Sequence, residues 1–293
     1  MFTRRSLLRL IGATIFSTLS LGGYAFAIEP RFRLVVTSYR LRPPRWPALQ
    51  NPLRMAVIAD VHACEPWMPI SRITKIVETT NALNPDIIVL LGDYVASGLG
   101  GFRSDWVSER EWALVFAKFR APLGVYSVLG NHDWWEDVSK TRNALIDHGI
   151  PVLENEAKLI EPTNGPKFWL AGLGDQQAVR LARGRYRGVD DMPKTLSHIT
   201  DDATPAILLA HEPDIFPKVP ARFGLTLSGH THGGQVCLPL IGRPIVPSRF
   251  GQRYAYGHVV EDGKHLIVSG GLGMSNLPVR FGVPPEIVLL ELG

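Results

Sequence analysis

The hydrophobic pattern of this chain falls into two regimes. Leu10 to Ile28 is a mostly apolar run behind Arg4, Arg5 and Arg9. A segment apolar on all sides has no wet face, so it predicts an export signal or a membrane anchor rather than a surface helix. From Leu53 onward, short apolar runs alternate with helical spacing. Leu53 to Ala59 predicts a strand that ends at Asp60, and Ile70, Ile73, Ile76 and Val77 predict a helix over 70–83 that Pro85 terminates. Asp86 to Leu91 is a second strand, ending in Gly92-Asp93. Ser104 or Asp105 can cap a helix carrying Trp106, Trp112, Val115, Phe116 and Phe119. Gly124 to Leu129 is a third strand, ending in Gly130-Asn131-His132-Asp133, and a third helix runs to about His148, where Gly149 provides a stop.

The second half reads as strands at 168–171, 206–210, 225–227, 254–260, 265–268 and 287–290, with one clear helical stretch at 192–199. Crossover units followed by hairpins predict an α/β (α+β) domain of two mixed sheets with helices outside, over residues 53–293 without an internal linker. Residues 28–52 hold Pro43, Pro44, Pro47 and Pro52 with Trp46 among arginines, and read as a linker or edge strand. The basic and aromatic positions within 31–46 also suit peripheral contact with anionic lipid headgroups.

Charge sharpens this division. The 293 residues carry a formal net charge of +4, yet from Leu53 onward 23 basic residues face 26 acidic ones. The body is mildly acidic, so nucleic acid is disfavoured as a partner. Thr3-Arg4-Arg5-Ser6-Leu7-Leu8-Arg9, the apolar run and Ala25-Phe26-Ala27 resemble a twin-arginine leader. That resemblance implies export to the periplasm or the outer face of the cytoplasmic membrane, with Ala27 either a cleavage point or part of a retained anchor. Cys64 and Cys237 are too few for a disulfide framework, and a bridge, free thiols or simple packing all fit.

Five strand-end motifs carry the chemistry: Asp60-Val61-His62, Gly92-Asp93, Gly130-Asn131-His132-Asp133, His211-Glu212-Pro213-Asp214 and Gly229-His230-Thr231-His232. Ligands of α/β sheets bind beyond the carboxyl ends of strands, so loops distant in sequence can converge there. Carboxylates, imidazoles and an amide oxygen, without a thiolate, suit one or two divalent ions such as Mn, Fe, Zn or Ni. Five of the nine histidines lie in these loops. His148, His198, His258 and His265 read as helix-end or surface groups.

The order of these motifs resembles the calcineurin-like metallophosphoesterase family over residues 53–293. Gly92-Asp93-Tyr94-Val95, Gly229-His230-Thr231-His232-Gly233-Gly234-Gln235 and the tail from Gly271 to Ile287 resemble its bacterial exported or membrane-associated phosphodiesterases. The resemblance implies a four-layer αββα sandwich. It implies that Asp60, His62 and His232 bind one metal, that Asn131, His211 and His230 bind another, and that Asp93 bridges them. Where other branches place a second acid after Gly-Asp, this chain has Val95, Ala96 and Ser97.

The resemblance further implies hydrolysis of a phosphate ester, most readily a diester; two cations about 3.5–4 Å apart would lower the pKa of a shared water and neutralise charge on the phosphoryl group. His132 is expected beside the metals as an imidazolium acting on the leaving oxygen, oriented by Asp133. Arg280 is a weaker candidate for a substrate phosphate, or else a surface arginine. Two other functions fit the same motifs: a pyrophosphatase of UDP-2,3-diacylglucosamine type, and a catalytically silent metal-binding envelope protein. The motifs of serine hydrolases and P-loop nucleotidases are missing, and His230-Thr231-His232-Gly233 departs from the metallo-β-lactamase pattern.

Overall fold

The computed structural model describes residues 3–98 and 105–293. Two mixed sheets stack face to face. The first contains β1 (Val35–Leu41), β2 (Leu53–Ile58), β3 (Ile87–Leu90), β4 (Val125–Ser127) and the last strand, β11 (Glu286–Leu292), in the order β1-β11-β2-β3-β4. The second contains β5 (Glu156–Ile160), β6 (Phe168–Gly172), β7 (Ala206–Leu209), β8 (Leu225–Ser228), β9 (Gly257–Glu261) and β10 (Lys264–Val268), in the order β9-β10-β8-β7-β6-β5. Their facing sides bury Met55, Val57, Val89, Leu170, Leu209, Leu227 and Leu290. Each such side chain stabilises the fold by about 1.5–3 kcal/mol relative to exposure.

Helices α3 (Ile70–Ala82), α4 (Glu109–Phe116) and α5 (Asn131–Asp147) cover the outer side of the first sheet. The buried positions of α3 are Ile73, Ile76, Val77 and Thr80, the one-sided spacing seen in the sequence. The outer side of the second sheet is covered by α6 (Met192–Ser197) and short turns that bury Phe216, Phe223 and Tyr254. The result is the four-layer α-β-β-α sandwich.

Several local expectations are corrected. Helix α4 starts at Glu109, because the Glu111 carboxylate accepts from the Ser108 N–H (3.0 Å) and hydroxyl (2.6 Å). Asp105 and Trp106 instead pair with Cys64 and Glu65 as a two-residue ribbon, and Ser104 lies outside the described residues. Tyr254 ends a 3-10 turn, and β9 begins only at Gly257. Strand β5 escaped notice because Glu156 and Lys158 interrupt its apolar positions, as an edge strand allows. Within residues 28–52, β1 lies at the edge of the first sheet and runs parallel to β11, while residues 42–52 hold no strand. Trp46 is 5% exposed and packs on Phe168, with ring centroids 5.4 Å apart, so it is a core residue and does not face lipid.

Register brings the motif loops together. Strands β2, β3 and β4 are mutually parallel, with Ile58 beside Leu90 and Leu90 beside Ser127. In the other sheet β7 and β8 are parallel, with Leu209 beside Leu227. All five motif loops therefore leave strands at the same end of the sandwich.

Candidate metal centre

The loop backbone is bent to aim side chains inward. Asp60 (φ 53°), His62 (45°), Asp93 (56°), His230 (67°) and His232 (51°) all occupy the left-handed region. Non-glycine residues there are uncommon and each costs on the order of 1 kcal/mol or more, a strain that clusters at functional sites. Hydrogen bonds hold the bends: His62 N–H donates to the Asp93 carbonyl (2.9 Å) and His230 N–H to Asp60 Oδ1 (2.8 Å).

Among the described residues three donor groups result: Asp60 with His62 and His232, Asp93 with His211 and His230, and a third, His62 with Asp93 and half-buried His132, that overlaps both. The six side chains of the first two are buried. Asn131 joins the second cluster, its Oδ1 lying 2.9 Å from His230 Nδ1 and 3.2 Å from His211 Nε2. Asp93 stands between the clusters, Oδ2 being 3.5 Å from His62 Nε2 and 3.2 Å from His211 Nε2.

The hydrogen bonds show what such a site can hold. His62 Nδ1 faces the Val95 carbonyl (2.9 Å) and His211 Nδ1 the Leu91 carbonyl (2.7 Å), so each carries its proton there and offers a lone pair at Nε2. His62 Nε2 lies 3.1 Å from His232 Nε2, and Asp60 Oδ2 is buried without a hydrogen-bond partner. Converging imidazole and carboxylate donor atoms, one of them a carboxylate oxygen without a partner, fit a divalent cation, and backbone-oriented imidazoles are a usual support for such ligands.

Electrostatics agree with this reading. Burial keeps His62, His230 and His232 below the ordinary imidazole range, and therefore neutral. Burial pushes Asp60 up to about 7. Burial would also raise Asp93, but His211, His132 and His62 outweigh it and hold this carboxyl well below its usual range. His211 moves well above its ordinary value: burial opposes its charge, but Asp93, Asp60 and Glu212 prevail.

Three side chains lie elsewhere than the sequence suggested. His132 Nδ1 contacts Ser97 Oγ (2.7 Å), and its Nε2 lies 3.4 Å from Ser275 Oγ. Burial lowers its pKa to about 3, so the ring is neutral at physiological pH rather than an imidazolium. Asp133 does not orient it. That carboxylate accepts N–H groups from Asp93 (2.8 Å), Tyr94 (2.9 Å) and Gly130 (2.9 Å), tying the Gly-Asp loop to the start of α5. Arg280 is fully buried, not a surface arginine, and its guanidinium donates to the Gly273 carbonyl (2.6 Å) and the Val283 carbonyl (3.0 Å). It lies 3.4 Å from His232 Nδ1, behind a candidate ligand instead of at the mouth.

A sixth strand end was missed. After β6, Gly174-Asp175-Gln176-Gln177 brings Gln177 Nε2 within 3.2 Å of His230 Nε2, and Gln176 N–H donates to Glu212 (3.1 Å). Its Gly-Asp step after an apolar strand repeats the pattern at Gly92-Asp93 and was the available signal. Cys64 and Cys237 are free thiols, and burial raises Cys64 to about 11, so it stays a thiol at neutral pH.

Comparison with known proteins matches this geometry. The profile of the calcineurin-like phosphoesterase family covers residues 53–234, and the chain belongs to that family of metal-dependent phosphoester hydrolases. It is 31% identical over 301 residues to the phosphodiesterase YaeI of Escherichia coli, spanning 100% of both chains. It is 30% identical over 297 residues to the metallophosphoesterase YkuE of Bacillus subtilis, covering 99% of this chain and 97% of that one. A transmembrane protein with a metallophosphoesterase domain from Danio rerio is 30% identical over 296 residues, 99% of this chain but 63% of its own length.

Proposed function

We propose that the protein is a divalent-metal-dependent phosphodiesterase of the cell envelope, exported by the twin-arginine route. Asp60, His62 and His232 would hold one ion, Asn131, His211 and His230 a second, with Asp93 shared. The observation that carries this reading is the pair of buried donor clusters with a common carboxylate at aligned strand ends. The name of the YaeI relative supports a diester over a monoester.

Two ions bound there supply Lewis acidity to a phosphoryl oxygen and lower the pKa of a water. The chain supplies orientation and proton traffic. His132, fixed by Ser97 and flanked edge-on by His62 (4.7 Å), is placed to donate a hydrogen bond to the leaving oxygen as a neutral imidazole. Asp133 locks Asp93 and the start of α5 in register, so the shared carboxylate and His132 keep their relative positions. The Arg280 charge, lowered by burial only to about 10, persists at neutral pH behind His232.

The test uses the full chain in detergent, stripped of metal and reloaded with Mn or Zn separately. Turnover of bis(p-nitrophenyl) phosphate is compared with p-nitrophenyl phosphate, with Asp93→Asn as control. Metal-restored diester cleavage that the variant lacks is expected. Metal uptake at these residues without cleavage of either ester would refute the enzyme and favour a metal-binding envelope protein.

A further inference from the structure

The amino-terminal helix does not end where a leader would be cut. One helical stretch runs from Arg4 to Phe32, as α1 (Arg4–Gly23), a π-turn at Tyr24–Ile28 and α2 (Glu29–Phe32), so Ala25-Phe26-Ala27 lies inside it. Its last turns are built into the catalytic domain. The Ala25 carbonyl accepts the Arg280 N–H (3.0 Å), and the Glu29 carboxylate, 2% exposed, accepts the Val283 N–H (2.9 Å). Tyr24 meets Phe281 edge-on at 6.3 Å, and Arg31 lies over Trp67 at 5.5 Å. Cutting after Ala27 would remove the acceptor of the Arg280 N–H and put buried Glu29 beside a new charged terminus.

The rest of the helix is bare. No side chain between Arg4 and Gly23 is buried, and Leu8, Ile11, Ile15, Phe16 and Leu19 are exposed. At 1.5 Å per residue the 20 bare residues of α1 span about 30 Å, which matches the ~30 Å hydrocarbon core of a bilayer. A second apolar surface adjoins its inner end. In the loop over 238–247, Leu240 (108%), Ile241 (66%) and Ile245 (76%) stand free of the domain. This loop springs from Phe281, whose carbonyl accepts the Cys237 N–H (2.7 Å). It also returns to the site, since Arg243 Nε donates to the Gly233 carbonyl (2.8 Å), next to His232. Phe281 thus touches both the helix end and the apolar loop, one residue from Arg280. Arg31 and Arg33 at the end of the helix and Arg243 within the loop add positive charge suited to anionic headgroups.

We propose that the helix is retained as a membrane anchor and that the loop over 238–247 rests in the bilayer interface, so that the metal centre takes a phosphodiester presented at the membrane surface. The substrate half rests on the phosphodiesterase reading; the anchoring half does not.

Two arms test this on the full chain. In the first, the protein is expressed with its own amino terminus, and membranes are washed with alkaline carbonate and the chain weighed by mass spectrometry. An intact amino terminus in the washed membranes is expected; a chain beginning at Ile28 in the soluble fraction would overturn retention. In the second, a variant carrying Leu240→Ser, Ile241→Ser and Ile245→Ser is compared with the wild type on two probes. One is bis(p-nitrophenyl) phosphate in detergent, and the other is the nitrophenyl ester of phosphatidic acid in phosphatidylethanolamine/phosphatidylglycerol vesicles. Unchanged turnover of the soluble probe with a loss of about tenfold on vesicles is expected, equivalent to about 1.4 kcal/mol. Equal turnover of both enzymes on vesicles would overturn the interfacial role of the loop. If the wild type cleaves neither probe, the phosphodiesterase reading falls and the substrate half with it, while the first arm still decides the anchor.

Discussion

Gly130→Ala probes the centre at its tightest point. Gly130 sits in ordinary extended backbone (φ −107°, ψ 175°), so alanine meets no conformational penalty there. The obstacle is space alone: a Cβ at this position would lie 2.3 Å from Asp93 Oδ1 and 2.7 Å from His211 Cε1. Restoring van der Waals contact needs a displacement of about 1 Å between the shared carboxylate and the start of α5. Overpacking of this kind costs roughly 1–3 kcal/mol of stability. A misplacement of about 1 Å among reacting groups costs about 100-fold in rate, or about 2.7 kcal/mol of transition-state stabilisation. We expect kcat/KM on a chromogenic diester to fall about 100-fold, with weaker Mn or Zn binding by titration calorimetry. Gly23→Ala, where an added methyl meets nothing within 4 Å, is the control. Wild-type metal affinity and turnover in Gly130→Ala would refute the assignment of Asp93 and His211 to the centre.

Other expectations follow from the same contacts. His132→Gln should lower kcat by about 100-fold or more while metal stoichiometry, read by atomic absorption, stays the same. Ser97→Ala, which frees His132 Nδ1, should lower kcat less, by roughly tenfold. Arg280→Ala strands the Gly273 and Val283 carbonyls in the interior, and urea unfolding should show a loss of about 2–5 kcal/mol. pH acts in both directions: the depressed imidazoles of His62, His132, His230 and His232 strengthen folding as pH rises toward about 6.5, whereas His211 and Asp60 weaken it. His211 has a raised folded pKa, so its stabilising contribution is complete below the unfolded value of about 6.5 and is lost as pH rises through the folded one. Asp60, raised to about 7, keeps its proton when folded after the unfolded chain has released it, so folding weakens as pH rises from about 4 to about 7. Metal ions compete with the protons held by Asp60 and His211, so metal should raise the melting temperature more at about pH 8 than at about pH 5. A metal-induced shift independent of pH would contradict this.

Much of the fold was legible because its elements are strongly one-sided. Ile73, Ile76 and Val77 on α3, and the apolar runs of β2 (broken only by Arg54), β3 and β7, each advertise burial within a few residues. The errors fall where local signals are weak or where partners are distant. Strand β5 carries edge-strand polarity, and Cys64 pairs with Trp106 and Glu65 with Asp105 across about 40 positions, which no local pattern encodes. Trp46 looked like a linker residue because nothing near it in sequence names Phe168 as its neighbour.

By itself the sequence determined the layered α/β architecture, the five ligand-bearing strand ends and the apolar amino-terminal run, since each is written in contiguous residues governed by backbone period and turn chemistry. Only the tertiary structure decided what those residues do to one another. Parallel register aligned strand ends from opposite halves of the chain, left-handed bends aimed their side chains at common points, and burial fixed which groups stay neutral. Asp133 became a loop tie rather than a partner of His132, and Arg280 a buried support behind His232, because their partners are fixed by how the loops pack. The docking of Ala25 and Glu29 on the segment from Arg280 to Val283 likewise joins residues about 255 positions apart, a separation at which only packing can specify contact.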